Sequence, residues 1–178
     1  MNLAIILLNW NGEKLLKKFL PTLVKHSSKS KIYIIDNGST DGSIKYVHNN
    51  FKNINCILLD KNYGFSKGYN LGLKKIKADL YCLINTDIEV TENWIQPVLN
   101  RFKSDINVKI AQPKLLDFNN KEYFEYSGAA GGYIDSYGYT FCRGRIFSTI
   151  EKDNSQYNKN VELFWASGAC MFLSLIHI

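Results

Sequence analysis

Three clusters of small polar side chains have the chemistry to hold a ligand: Asn9-Trp10-Asn11, Asp36-Asn37-Gly38-Ser39 and Asn85-Thr86-Asp87. Each follows directly on an apolar run, Leu3 to Leu8, Lys31 to Ile35 and Leu80 to Ile84 respectively. Asn, Asp, Gly and Ser are favoured where strands run into turns, so any one cluster has an ordinary backbone explanation. Recurrence at three strand ends points instead to a shared pocket, because open α/β sheets bind ligands outside the carboxyl ends of their strands. Asp87 is the residue with metal chemistry. A magnesium or manganese ion uses one or two protein carboxylates and completes its octahedron with water and substrate phosphates, so a lone carboxylate suffices for a metal diphosphate. Glu89, two residues on, reads as a solvent-facing carboxylate near the next helix.

Gly64, Gly68 and Gly72 lie four apart and form a bare stripe if the segment is helical, each costing about 1 kcal/mol relative to Ala. Either close packing of helix on sheet or close approach of backbone to a ligand accounts for such a stripe. The spacing is neither GxGxxG after a first strand nor GxxxxGK[ST], so a dinucleotide fingerprint and a P-loop are both unsupported.

The elements that must position these residues follow from hydrophobic periodicity. A strand at Leu3–Leu8 precedes Leu15, Leu16, Phe19, Leu20, Leu23 and Val24 at helical spacing. A strand at Lys31–Ile35 runs into turn formers and N-cap residues that open a helix through Tyr46 and Val47. A strand at Ile54–Leu59, a helix carrying Phe65, Tyr69, Leu73 and Ile76, and a strand at Leu80–Ile84 come next. A helix near Glu92–Phe102 and a strand near Val108–Gln112 continue the alternation, which calls for a parallel sheet covered on both faces. From about Asp117 to Tyr157 the texture becomes Gly, Tyr and Phe without period, as expected of a binding wall or lid. Leu163–Leu173 reads as a buried strand.

Composition narrows the function classes. With 178 residues, 46% hydrophobic and 21% charged, the chain has the makings of one globular core, not of a disordered, collagenous or disulfide-rich protein. Its net charge of +6 favours an anionic partner, but the basic residues are scattered, with no recognition helix or RNP-like motif, so nucleic acid is not expected. Cys56, Cys82, Cys142 and Cys170 form no CxxC pair and read as reduced thiols. No apolar run reaches the about 18 residues of a membrane span, and the start lacks the basic region and cleavage site of a signal peptide. The expected location is the cytoplasm, with a peripheral seat at the inner face of the cell membrane permitted by the charge.

Taken in order, Asn9-Trp10-Asn11-Gly12, Asp36 to Ser43, Asn62-Tyr63-Gly64-Phe65 with Gly68 and Asn70, Asn85-Thr86-Asp87, and Ser167-Gly168-Ala169-Cys170 resemble the inverting nucleotide-sugar glycosyltransferases of family 2. The bacterial rhamnosyltransferase-like members are the nearest in pattern. Ser127 to Gly132 and Cys142 to Arg145 extend the likeness over essentially the whole chain. The resemblance implies a GT-A fold, a Rossmann-like, mostly parallel sheet with helices on both faces. It implies a single domain over residues 1–178, with a nucleotide-binding half over about 1–112 and an acceptor-side half over about 113–178. It further implies a nucleoside-diphosphate sugar donor, Mg2+ or Mn2+, and a glycan or lipid-linked glycan acceptor in surface polysaccharide synthesis.

Carried over by position, Asn9 and Asn11 take the first-strand place that meets the base, and Asp36 that of the carboxylate bonding base or ribose. Asn62, Gly64 and Asn70 border the nucleotide pocket. Asp87 matches the last position of the Asp-x-Asp type motif that grips the metal, while Asn85 and Thr86 stand where the motif has its other positions, so weak metal affinity without donor is expected. Inversion needs a general base for the acceptor hydroxyl. In the family this is a carboxylate some tens of residues after the Gly-Ala-Cys strand, so the expectation is a C-terminally truncated chain with its base beyond Ile178. His177 as a substitute base reads as incidental. A noncatalytic nucleotide-sugar-binding fragment or pseudoenzyme is the competing reading. Lys67 reads as an exposed lysine. Tyr139, Phe141, Phe147 and Trp165 either stack on acceptor sugars or pack the core edge, and Arg143 and Arg145 either hold an anion or pair with Glu151 or Asp153.

Overall fold

The computed structural model describes residues 1–174. The described chain divides into two compact units, one made by Met1–Lys109 together with residues 172–174, the other by Ile110–Met171.

The first unit alternates strand and helix: β1 (Leu3–Asn9), α1 (Glu13–His26), β2 (Lys31–Asp36), α2 (Ser43–Asn50), β3 (Asn55–Leu58), α3 (Phe65–Leu73), β4 (Leu80–Ile84) and α4 (Gln96–Ser104). Side chains of β1 and β4 are buried along nearly their whole length, the signature of strands covered on both faces. They lie side by side and parallel, and β2 and β3 add in parallel on the other edge of β1, giving the order β3-β2-β1-β4. Register Asn9↔Asp36 between β1 and β2, and Ile6↔Leu83 between β1 and β4, brings the carboxyl ends of the three strands to one edge. Leu16, Phe19, Leu20 and Leu23 form the buried face of α1. Pro21 falls on its exposed face, where water can serve the carbonyl that proline leaves without a donor.

In the second unit β5 (Ile110–Ala111) is followed by a small antiparallel sheet of β6 (Gly132–Ile134), β7 (Thr140–Cys142), β8 (Arg145–Ile146) and β9 (Thr149–Ile150) in that order. Phe124, Ala129, Ala130 and Cys142 make its core, with Trp165 and Tyr157 packed against them. β10 (Cys170–Leu173) returns the chain to the first unit, where it lies beside β4. All four cysteines are free thiols.

Three elements depart from the expected bounds. The helix expected from Glu92 begins at Gln96, because Asn93 holds a left-handed φ of 58° and Pro97 belongs in a first turn, where its missing N–H costs nothing. The strand expected over Val108–Gln112 contracts to the two residues of β5. Leu163–Ala169 is not strand: Trp165 forms a single antiparallel bridge with Gly132 and lays its indole over that glycine, and regular strand starts at Cys170.

The glycine stripe resolves into packing at two of its positions. A Cβ on Gly72 would fall 2.2 Å from Ile35 Cδ1 and 2.9 Å from Ile35 Cγ2, and one on Gly68 would fall 3.0 Å from Leu8 Cδ1. Because Ile35 is β-branched and fully buried, it has little room to turn away. We expect Gly72→Ala to destabilise the fold by about 1–3 kcal/mol in urea denaturation. An unchanged midpoint would show that α3 does not bear on β2 as closely as this.

Candidate functional site

The polar exits of β1 and β2 meet in one hydrogen-bonded cluster. Asn9 is completely buried, and its Nδ2 donates to Asp36 Oδ1 at 2.9 Å, Ser39 Oγ at 3.0 Å and Ser43 Oγ at 2.9 Å. Asp36, also buried, uses its second oxygen to accept the Ser39 N–H at 3.0 Å, closing a turn directly after β2. Asn11 stands exposed with φ 50°, its N–H donating to Ser39 Oγ and its Oδ1 accepting the Thr40 N–H at 2.8 Å.

A second arm reaches the segment after β3. Asn37 Nδ2 donates to Asn62 Oδ1 at 2.9 Å and to the Gly64 carbonyl at 3.0 Å, while its Oδ1 accepts the Tyr63 N–H. Gly64 donates its own N–H to Asn62 Oδ1 and adopts φ 76°, ψ −175°, a region essentially reserved for glycine. Gly38 lets this arm pass overhead: a Cβ there would lie 2.5 Å from the Lys61 backbone. Lys67 sits 4.8 Å from the centre of the Tyr63 ring, whose hydroxyl donates to Asp60.

The remaining expected residues take no part in the side-chain hydrogen bonds of this cluster. Asn70 is exposed on α3, Asn85 and Thr86 are half-buried at the exit of β4, and Asp87 is exposed just beyond them. Among the described residues no group of three His, Cys, Asp or Glu comes together to hold a metal. His177 lies outside the described residues.

The sequence reading did not include a reciprocal cap between the first two helices. Asp41 Oδ2 accepts the Glu13 N–H at the start of α1, Asp41 Oδ1 accepts the N–H and hydroxyl of Ser43 at the start of α2, and Glu13 Oε2 accepts the Gly42 N–H. Ser43 thus passes the chain of bonds from Asn9 to Asp41. The residue types alone suggested a cap for α2; nothing local links Glu13 to Asp41.

In the second unit the aromatic residues divide. Trp165 packs on Gly132 and donates its Nε1–H to the Tyr133 carbonyl, whereas Tyr139, Phe141 and Phe147 are exposed. The carboxylates have other partners than the arginines. Asp153 pairs with Lys114, and Glu151 accepts the Tyr157 hydroxyl. Arg143 lies 4.7 Å over the Tyr157 ring and Arg145 4.2 Å over the Tyr126 ring.

These features define an α/β domain of the GT-A type, with a polar edge at the carboxyl ends of β1, β2 and β4. The family model described as glycosyl transferase family 2 matches residues 4–174, and the chain belongs to that family. Among solved structures it is similar to S. aureus TarS 1–349, at TM-score 0.60 and 19% identity over 67% of this chain and 37% of that one. The same protein in complex with UDP-GlcNAc matches at TM-score 0.57 and 20% identity, over 65% of this chain and 34% of that one. The mannosyltransferase PcManGT from Pyrobaculum calidifontis, in complex with GDP-Man and Mn2+, matches at TM-score 0.55 and 14% identity, over 64% of this chain and 35% of that one. The chain spans about a third of the length of these structures. Among the described residues no helix is long and apolar enough to cross a membrane.

Burial works against the charge of Asp41, but the Ser43 hydroxyl and the N–H groups of Glu13 and Ser43 outweigh it and hold the carboxyl below its ordinary value. The stabilisation is complete above the unfolded value and fades as pH falls through the lower, folded one. Asp41→Ala should cost about 1 kcal/mol near neutral pH, as loss of a helix cap does, and the cost should vanish in strong acid. Urea melts across pH check this; a penalty that persists in acid would mean that the carboxylate's charge is not what caps the two helices.

Proposed function

We propose that this chain is a glycosyltransferase domain that takes a nucleoside-diphosphate sugar with Mg2+ or Mn2+ and transfers the sugar, with inversion, to a glycan or lipid-linked glycan acceptor. The observation that carries the reading is the hydrogen-bonded cluster at the ends of β1 and β2, in which Ser39 ties Asn11, and Asn37 ties Asn62 and Gly64, to the buried Asn9–Asp36 pair in a family 2 fold. The TarS structures hold UDP or UDP-GlcNAc, and the mannosyltransferase holds GDP-Man, which supports a nucleotide-sugar donor here.

In this reading Asn9 and Asp36 fix the floor of the base pocket, and Asn11, Asn62, Gly64 and Asn70 form its rim. Asn85, Thr86 and Asp87 face the diphosphate, with Asp87 as the residue that would hold the cation. The metal supplies positive charge against the phosphate charge that grows as the leaving group departs. The first unit is the donor half and the second the acceptor half. The finer assignments belong to the same proposal: a bacterial, rhamnosyltransferase-like enzyme of surface polysaccharide synthesis, working in the cytoplasm or peripherally at the inner face of the membrane. The mixed pattern of the resemblance and the net charge of +6 support them.

Calorimetric titration of UDP, dTDP and GDP with and without Mn2+ tests the reading. One nucleotide should bind in a metal-dependent way, and Asp87→Ala should remove the metal dependence without moving the urea midpoint, since Asp87 is exposed and outside the side-chain network. Metal-dependent affinity unchanged in Asp87→Ala would take that residue out of the site. Hydrolysis of a bound donor separates a transferase from a domain that only binds.

A further inference from the structure

We propose that the cavity of the second unit is a subsite for a negatively charged sugar, with Arg145 as the residue that reads the charge. The proposal rests on the glycosyltransferase reading and deepens it by naming the acceptor class. The cavity holds about 290 Å3 and is lined by Ser127, Thr140, Phe141, Arg145, Phe147 and Trp165, all within that unit. This mixture suits one pyranose ring: aromatic faces for its C–H side and hydroxyls for its own hydroxyls.

Arg145 adds a charge that the protein leaves largely unspent. Its Nη1 donates to the Phe147 carbonyl at 2.6 Å, and its guanidinium rests on Tyr126, so the group is held in place. Its Nη2 faces the Cys142 sulfur at 3.8 Å, a weak acceptor, and its Nε is buried with no partner. Among the described residues no carboxylate pairs with it. A guanidinium presents five N–H donors in a fork that fits an oxyanion, and leaving such donors buried and unmet is unfavourable. Arg143 differs, because it does not line the cavity and, among the described residues, leaves no buried donor unmet. A carboxylate or phosphate carried on the ring that enters the cavity would meet the hydrogens of Nη1 and Nη2 that Phe147 and Cys142 leave over. The ligand is therefore a uronic acid or a sugar phosphate, which share an anionic oxygen cluster next to a pyranose.

The test is an NMR titration of glucuronic acid, glucose 6-phosphate and neutral glucose into the whole chain. At least one charged sugar should bind about tenfold or more tighter than glucose, and Arg145→Gln should shrink that preference to about twofold. Preference for glucuronic acid names a uronate acceptor, and preference for glucose 6-phosphate names a phosphorylated one. Equal binding of all three sugars, binding of none, or a preference that survives Arg145→Gln overturns the proposal. Should Arg145→Gln fail to fold, salt provides the second measurement in the wild-type chain. The preference should largely vanish at about 1 M salt, where the Debye length is about 3 Å, and a salt-insensitive preference overturns the proposal. UDP and GDP binding with Mn2+, measured alongside, keeps the two readings apart. Nucleotide binding without charge preference removes the subsite alone, and charge preference without nucleotide binding keeps the subsite and removes its assignment to the acceptor.

Discussion

The buried carboxamide of Asn9 is the contact on which the ligand edge depends. One NH2 group is shared among acceptors on Asp36, Ser39 and Ser43, so it joins the end of β1 to the end of β2, to the turn after it and to the start of α2. Leucine would leave Asp36 Oδ1 buried without its donor, at a cost of about 1–3 kcal/mol. Aspartate would set two carboxylates together out of water, where both cannot stay charged. A neutral donor gives the Asp36 oxygen a partner where solvent has little access, and the same bonds register α2 against the sheet.

What the sequence shows of this architecture is the part encoded by local pattern. Continuous apolar runs in β1 and β4, and three-four spacing in α1, mark a covered parallel sheet because burial on both faces permits no polar alternation. The polar clusters at the strand ends were legible for the same reason. Hidden from local pattern were the bonds made across space. Glu13 and Asp41 cap each other's helices from 28 residues apart, and neither residue type nor spacing links them. Leu163–Leu173 misleads because an apolar run without period is equally a strand or a segment whose large side chains fill a neighbouring core; Trp165 does the second. The glycine stripe needed coordinates too, since packing and ligand approach predict the same residue.

Within the site the polar groups fall into two kinds. Asn9 Nδ2, both oxygens of Asp36 and both ends of the Asn37 amide are engaged by the protein itself. Asn11 and Asn62 each engage their Oδ1 and keep the side-chain NH2 group for other use, and Asn70, Asn85, Thr86 and Asp87 bring their side chains uncommitted. A rigid inner set with a receptive outer one is what a pre-organised site requires, because the ordering cost of the inner residues is met by folding and not by the ligand. It follows that changes at Asn9 or Asp36 act on the shape of the edge as a whole, whereas changes at the outer residues act on single contacts.

The same division bears on how a metal and a donor would meet in the proposed reaction. One exposed carboxylate is a poor trap for a hydrated divalent ion, which gives up its water reluctantly. A diphosphate beside Asp87 supplies the other oxygen ligands, so each partner would raise the affinity for the other by the same factor, as linkage demands. Sparse acidity at Asp87 then becomes an ordering device. In the proposed reaction the edge would stay free of cation until a nucleotide occupied it, and the loss of the phosphate ligands would weaken the hold on the metal in turn.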